Sequence, residues 1–521
     1  MTQGDPGFLN HFQLLFSGMF LRQKVNSSGV VSVQVLQKQK GKNKLLLTIG
    51  SSDDALAISR LVEQGKSWIK RQQKQVDLDF DQQDKLLEVF IDSIEGIKIA
   101  GIELLVGKLF DEIGFNTLKD ELFRKLVLAR VCYPVSKLKT TEYLRRYEGY
   151  ETDEDKVYRY LDKLDKKQRR AVQRISYEHT LKILNGEISV VFYDVTTLYF
   201  EIEEEDELRK TGFSKDGKHQ NPQIVLGLLV SMDGYPLGYD IFKGNKFEGQ
   251  TMMPVLNLFR RKYKLKKLVV VADSGLLSKK NIESLEANNY EYIIGARIKS
   301  EANELKEQIL GLTLEDGQTT VLAYKEGSRM IIGYSANRAK KDAANRKRGL
   351  EKLEKNLKSG KLTKQHINNK GYNKFLRMTG KVDIEIDKER VETDKRWDGL
   401  KGYITNTSLD KEVAIGQYNQ LWQIEKAFRI AKTDIKIRPI YHRLPHRIEA
   451  HVCIAFVAYK IYKELERQLK AHQSKLSPEK VIEIAKTIYK VVARKPITKE
   501  IYEKVLIKSP EQVEIAKLFN F

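Results

Sequence analysis

The sequence predicts an α/β protein, with a mixed sheet at its centre and helices before and after it. Three observations predict this: strand-like runs gathered between residues 186 and 300, apolar residues at helical three-and-four spacing on either side, and a packed-protein composition. Hydrophobic residues make up 41% and charged residues 31%, which suits a globular chain rather than a disordered one. At roughly 150 residues per domain the length allows about three domains. Lys plus Arg number 92 against 70 for Asp plus Glu, a net charge of +22 with a pI near 9.5, which points to a polyanionic partner.

Several classes are excluded early. Apolar runs such as Leu268 to Ala272 and Ile224 to Val230 fall far short of the roughly 20 residues that span a bilayer, so no membrane helix is expected. The start, MTQGDPGFLNHFQLLF, has no basic stretch before its apolar residues, and a cytoplasmic location is expected. Cys132 and Cys453 lie far apart without C-x-x-C spacing, which offers neither a disulfide framework nor a zinc ribbon. Gly101, Gly107 and Lys108 fail as a phosphate-binding loop, since five residues separate the glycines and Leu109 stands in place of Ser/Thr.

Taken in order, residues 1–52 form a β-hairpin region, in which VVSVQVLQKQKGKNKLLLTI reads as two strands around a basic turn. Residues 53–185 are helical, with apolar steps such as Leu118, Leu122, Leu126 and Ala129, or Tyr158, Leu161 and Leu164. This region is expected to bind DNA; its KKQRR patch, Lys166 to Arg170, suits DNA phosphates and equally a solvated helix face. Residues 186–300 carry strands at Ile188–Phe200, Gln223–Met232, Pro236–Phe242, Lys267–Val271 and Tyr292–Ala296, with Asp233–Gly234 as a tight turn. A long strand, a hairpin and then strands alternating with helices is the order of a ribonuclease H-like core, and of other α/β folds as well. Residues 301–395 read as an insertion, with β-like runs, a very basic helix and a strand pair near Phe375 to Ile386. Residues 396–470 return to the core with the strand GYIT and two long helices, and 471–521 form a basic helical tail.

Three carboxylates stand out. Asp194 lies mid-strand in VVFYDVTTLYF, on the face of Phe192, Thr196, Leu198 and Phe200, where an ionised group needs a partner or a metal. Asp273 follows KLVVVA at a strand's carboxyl end, where α/β sheets place ligand chemistry, although Asp-Ser-Gly is also an ordinary turn. Glu425 sits in YNQLWQIEKAFRIAK, where helical spacing aligns Tyr418, Trp422, Glu425, Arg429 and Lys432 beside an apolar stripe of Leu421, Ile424, Phe428 and Ala431. Glu425 and Arg429 also suit a plain i,i+4 surface pair. Three carboxylates on separate elements are what magnesium uses, and two such ions can drive phosphoryl transfer. His442, His446 and His451 invite a zinc reading, but Pro445 interrupts the helix and no cysteine assists, so no zinc is expected.

VFYDVTT, VVVADSG, and YNQLWQIEKAFRIAK followed by RPIYHR and IEAH, together resemble the DDE insertion-sequence transposases with the Tyr-Arg-Glu-Lys signature. The resemblance runs from the hairpin to about residue 465. Tyr418, Glu425 and Lys432 match the signature spacing, while Leu421 occupies its Arg position, leaving Arg429 as another source of that charge. The resemblance implies a ribonuclease H-like core in which Asp194, Asp273 and Glu425 hold two Mg²⁺ ions, with Mn²⁺ able to substitute. It also implies a mostly β insertion before the glutamate helix. Tyr418 and Lys432 would contact the phosphates or bases of the cleaved end. Trp422 would stack on an unpaired base or serve the core, and Lys215 and Asp216 in GFSKDGKHQNPQIV would face DNA or close a loop over the core.

The implied activity is that of a transposase that binds the terminal inverted repeats of its element, cleaves the ends and joins the 3′-hydroxyls to target DNA. Its partner would be double-stranded DNA and its active form a homodimer on that DNA, in a prokaryotic nucleoid. The rival readings are a ribonuclease H-like nuclease without strand transfer and a non-catalytic DNA-binding protein descended from a transposase; the intact acidic residues, Tyr418 and Lys432 count against the latter.

Overall fold

The computed structural model describes residues 18–72, 87–265, 267–276, 278–368, 371–379, 383–495 and 498–521. Two compact units emerge: the described residues up to Glu95 with Ala493–Tyr502, and Gly96–Val492 with Glu503–Phe521.

In the first unit, β1 (Met19–Val25), β2 (Val31–Gln39) and β3 (Lys42–Ser52) form an antiparallel sheet, followed by α1 (Ala55–Gln72). The expected hairpin is β2–β3, and its turn at Lys40–Gly41 has positive φ at both residues, the geometry that fits strand twist. β1 escapes a sequence reading because MFLRQKV is largely exposed and carries no apolar alternation. α1 lies close on β1: a Cβ at Gly65 would fall 2.5 Å from a Leu21 methyl.

The boundary to the second unit falls inside β4 (Ile94–Ile99). Helices α2 (Glu121–Cys132), α3 (Glu154–Lys163) and α4 (Lys166–Ile183) follow, each begun by an aspartate, Asp120, Asp153 or Asp165, whose side chain accepts a backbone N–H of the first turn.

The core is an eight-stranded sheet in the order β10-β11-β14-β9-β8-β5-β6-β7. β5 (Val190–Tyr199), β6 (Gln223–Ser231) and β7 (Pro236–Lys243) are an antiparallel meander, with Gly234 at φ +80° in the turn that Asp233–Gly234 predicts. α5 (Met252–Tyr263) leads to β8 (Val269–Ala272), which pairs parallel to β5, and α6 (Lys279–Ala287) leads to β9 (Glu291–Ala296), parallel to β8. β5 is buried on both faces, which explains its nearly unbroken apolar run. Its Val191, Tyr193 and Val195 pack with Leu256 and Phe259 of α5, and its Phe192 and Leu198 pack into the opposite core.

The segment 301–395 departs from the expected insertion. β10 (Thr319–Lys325) and β11 (Ser328–Tyr334) extend the central sheet, because fully buried Met330, Ile331 and Ile332 pair β11 with β14 (Leu400–Thr405). The remainder is led by the long basic α7 (Ala336–Lys358), with β12 (Leu376–Thr379) and β13 (Asp383–Ile386), around a small core of Leu353, Phe375, Leu376 and Val391. Helix outweighs strand here, so the mostly β reading is corrected.

The signature segment also differs. Its spacing predicts a single helix, but it forms α8 (Lys411–Asn419) and α9 (Trp422–Thr433), broken at Gln420–Leu421. Pro445 opens α10 (Pro445–Ala471) at its first turn, where a missing N–H costs nothing, instead of interrupting a helix. α10 is buried along most of its length and forms the centre of the larger core. The tail contains α11 (Pro478–Ala485), β15 (Tyr489–Arg494), β16 (Ile501–Leu506) and α12 (Pro510–Phe519), so it is not purely helical. Cys132 and Cys453 are buried free thiols, and among the described residues no helix is long and apolar enough to cross a membrane.

Candidate active site

Strand register brings the two aspartates together. β5 and β8 run parallel with Phe192 opposite Val271 and Tyr193 opposite Ala272, so Asp194 on β5 and Asp273, the residue that follows β8, come next at the same level of the sheet. Alternation turns Asp194 to the side of Phe192, against which α9 packs through Ile424 and Phe428. Glu425 follows Ile424 on that helix and is exposed. Lys401 on β14 and Tyr418 on α8 each feel the charges of both Asp273 and Glu425, which marks the common neighbourhood of the two.

Asp194 is held by Lys215. The Lys215 ammonium stands 3.4 Å from Asp194 Oδ1 and 3.3 Å from Glu248 Oε1, and donates to the Val195 carbonyl at 2.7 Å. Burial pushes the Asp194 carboxyl up to about 6, with Glu248 adding to the rise and Lys215 opposing it. Burial works against the Lys215 ammonium, but Asp194 and Glu248 outweigh it and raise its pKa.

Tyr418 is 5% exposed, and its hydroxyl donates to Asp273 Oδ1 at 3.3 Å. Lys401 lies 4.5 Å from the centre of its ring. Lys432 and Arg438 converge on Asp216, at 3.4 and 2.8 Å, so the loop carrying Lys215 and Asp216 is tied to both aspartate and helix sides of the site. Trp422 is 47% exposed with Lys426 beside its ring, Arg429 is exposed, and Leu421, at the signature's Arg position, is buried. Beside Ser274, the residue after Asp273, opens a cleft of about 570 Å³ in which Arg297, Lys299, Arg338, Lys374 and Lys401 stand among the aspartates Asp342, Asp394 and Asp398.

The sequence does not single out Glu248, Lys401 or Arg438. Lys401 is a charged residue near the start of an apolar strand, a signal available beforehand; Glu248 lies in a polar loop, KGNKFEGQ, and nothing local marks it.

Among the described residues no three His, Cys, Asp or Glu side chains converge on one metal position. The donor set still fits a hard dication: Asp194 and Asp273 are carboxylates at one level of neighbouring chain segments, Glu425 is on the helix packed against β5, and a buried oxygen of Glu248, without a hydrogen bond, faces the Lys215 cation.

Residues 185–461, more than half of the chain, match the family described as transposase DDE domain. Among solved structures there is similarity to a piggyBac transposase synaptic complex with hairpin DNA, at 11% identity and TM-score 0.38, covering 74% of this chain and 76% of that one. Weaker similarity is found to the Mos1 strand transfer complex (13% identity, TM-score 0.15, 32% of this chain and 56% of that one) and to the Mos1 transposase paired-end complex with left transposon end (15%, 0.16, 35% and 57%). No curated protein matches. With the family match spanning the sheet, both aspartates and the glutamate helix, the chain belongs to the transposase DDE-domain family.

Proposed function

We propose that the protein is a transposase with a ribonuclease H-like core, which binds the terminal inverted repeats of its own element, cleaves at the ends and joins the 3′-hydroxyls to target DNA. The observation that supports this reading is the parallel register of β5 and β8, which brings Asp194 and Asp273 to the same level of the sheet, with the Glu425 helix packed against β5. The order β7-β6-β5-β8-β9, three antiparallel strands followed by two parallel ones, suits that core. Asp194, Asp273 and Glu425 would hold two Mg²⁺ ions, or Mn²⁺ in their place, which when bound supply activation of the attacking oxygen and stabilisation of the leaving one.

The chain's own groups prepare the substrate. Tyr418 fixes the direction of Asp273 through its hydroxyl. Lys401, Lys432, Arg438 and exposed Arg429 supply positive charge for the phosphates of the cleaved end, and Trp422 offers an exposed face for an unpaired base. Arg297 and Lys401, in the cleft beside Ser274, offer cations to the phosphates of DNA lying over the site. Cleavage and joining are in-line attacks at phosphorus by water and then by the 3′-hydroxyl, so no side chain serves as a nucleophile. Two ends brought together require at least a homodimer on the DNA.

The test incubates the full-length protein and Mg²⁺ with DNA carrying the gene's own flanking ends, comparing wild type with Glu425→Ala. Boundary cleavage and joined products, both lost in the variant while end binding persists, are the expected result. Cut ends without joined product would instead indicate a nuclease, binding without cleavage a regulator, and cleavage that survives Glu425→Ala a misplaced site.

A further inference from the structure

Two loops cross near Asp194, and each brings a charge that the proposed chemistry does not use. The first runs past Lys215, whose backbone N–H donates to Thr197 Oγ1 at 3.1 Å, pinning it to β5. The second precedes α5 and carries Glu248. Buried Gln223 ties the two together, its side-chain amide donating to the carbonyls of Phe213 and Gly244 at 2.9 and 3.0 Å. A Cβ at Gly249, the residue after Glu248, would already lie 2.9 Å from the Phe247 ring, so this second loop is closely folded. Glu248 therefore has a defined place. One of its oxygens faces Lys215 and the other, like Asp273 Oδ2, lies within 4 Å of the position a Gly275 Cβ would take.

This arrangement sets one ammonium between two carboxylates at nearly equal distance, 3.4 Å from Asp194 and 3.3 Å from Glu248. An ammonium and a hydrated dication seek the same oxygen of Asp194, and two cations a few ångströms apart repel strongly where water is scarce. A lysine stem is long and flexible enough to shift its head from one oxygen to another. Glu248 is the acceptor that such a shift needs, because without it the displaced ammonium would lose its counter-charge in a partly buried site.

We propose that Lys215 is a built-in stand-in for the divalent cation: it neutralises Asp194 before metal arrives and passes to Glu248 when Asp194 takes metal up. Both are positioning residues, since neither needs to touch the reacting phosphate. The proposal rests on the reading of Asp194 as a metal ligand. It adds a device that keeps the site folded ahead of DNA and metal, and that sets how tightly metal binds.

The test measures Mn²⁺ affinity of the full-length, DNA-free protein by the electron paramagnetic resonance signal of free Mn²⁺, together with the thermal midpoint with and without Mn²⁺. Lys215→Met should bind Mn²⁺ about tenfold more tightly, because a competing charge is gone. Its metal-free midpoint should fall and recover when Mn²⁺ is added. Glu248→Gln should bind several-fold more weakly, since Lys215 then has nowhere else to go. The double variant should resemble Lys215→Met, the non-additive outcome that shows Glu248 acting through Lys215. Lys215→Arg, which keeps the charge, should stay near wild type and serves as the folding control. Wild-type affinity in Lys215→Met overturns the proposal alone, and a double variant as weak as Glu248→Gln overturns the part assigned to Glu248. Mn²⁺ bound by none of the proteins overturns the metal-site reading together with the proposal.

Discussion

At the scale of single residues, one hydroxyl decides how Asp273 is presented. Tyr418 is buried, and burial together with the nearby Asp273 charge raises its pKa, so it remains a donor to the carboxylate. A phenylalanine there keeps the packing against Tyr403 and Lys401 but frees Asp273 to rotate. A net hydrogen bond is worth about 0.5–1.5 kcal/mol. Tyr418→Phe is thus expected to slow single-turnover cleavage by about tenfold while leaving end affinity within about twofold, as read by gel cleavage and filter binding. Wild-type cleavage in this variant would remove Tyr418 from the site. Gly295 on β9 gives an independent approach to the same contact. A Cβ there would stand 2.5 Å from the Tyr418 hydroxyl oxygen, so Gly295→Ala must displace the tyrosine and should slow cleavage at least as much, without altering any charge. The signature spacing identifies Tyr418, but its tie to Asp273 depends on chain 145 residues away, and no sequence window contains both.

At the scale of elements, what is legible in the sequence follows local chemistry, and what is hidden follows tertiary packing. The strands carrying Asp194 and Asp273 stand out because a buried sheet demands apolar runs, and a carboxylate within or just after such a run breaks the pattern. The gap between α8 and α9 is hidden, since neither Gly nor Pro marks Gln420–Leu421 and the apolar stripe continues through it; Tyr418 under β9 and Ile424 over β5 are set by different strands. β10 and β11 read as part of an insertion because only the pairing of β11 with β14 reveals them as sheet edge. The KKQRR patch is ambiguous for a similar reason. On α4, Lys166, Lys167, Arg170 and Arg174 join Lys262 of α5 around a cleft of about 720 Å³. Burial, with Arg174 and Arg170 close by, lowers the Lys262 ammonium to about 8, although Glu178 opposes the shift and Asp165 lies in the same cleft, so cations outnumber anions there. Bound phosphate would relieve that repulsion. Replacing Arg170 and Arg174 by Ala should weaken binding of all DNA sequences alike and make the salt slope of log affinity shallower by about one for each phosphate no longer neutralised. An unchanged slope would make this face ordinary solvated surface.

At the scale of the whole molecule, burial of histidines, reinforced by neighbouring positive charge, sets the core's response to acid. In the second unit His442 and His451 are buried and His179 is partly buried, and burial is the main cause that lowers all three. Lys460 adds to it at His179, while Lys137 and Arg130, themselves buried, add to it at His442 and His451. His179 is lowered to about 4 and His442 to about 3, from an ordinary 6.5. A histidine whose pKa is depressed in the folded state stays neutral there while the unfolded chain takes up a proton. The full stability is therefore present above pH 6.5 and is lost as the pH falls toward 4 and below. Each pH unit in that window costs about 1.4 kcal/mol for each histidine that charges only on unfolding. Urea unfolding of the wild type at pH 7 and pH 5 should thus show a marked loss of stability at the lower pH. His179→Gln and His442→Gln combined should lower stability at pH 7, through lost packing, yet flatten the dependence on pH. An equally steep dependence between pH 7 and pH 5 in wild type and double variant would place the acid sensitivity at His451, whereas a loss that begins only at lower pH would place it among carboxylates whose pKa values are lowered in the fold, such as Glu464 and Glu466. The two origins separate by position on the pH axis: histidines act from 6.5 downward, whereas carboxylates with lowered values lose their contribution only below the usual 4.5.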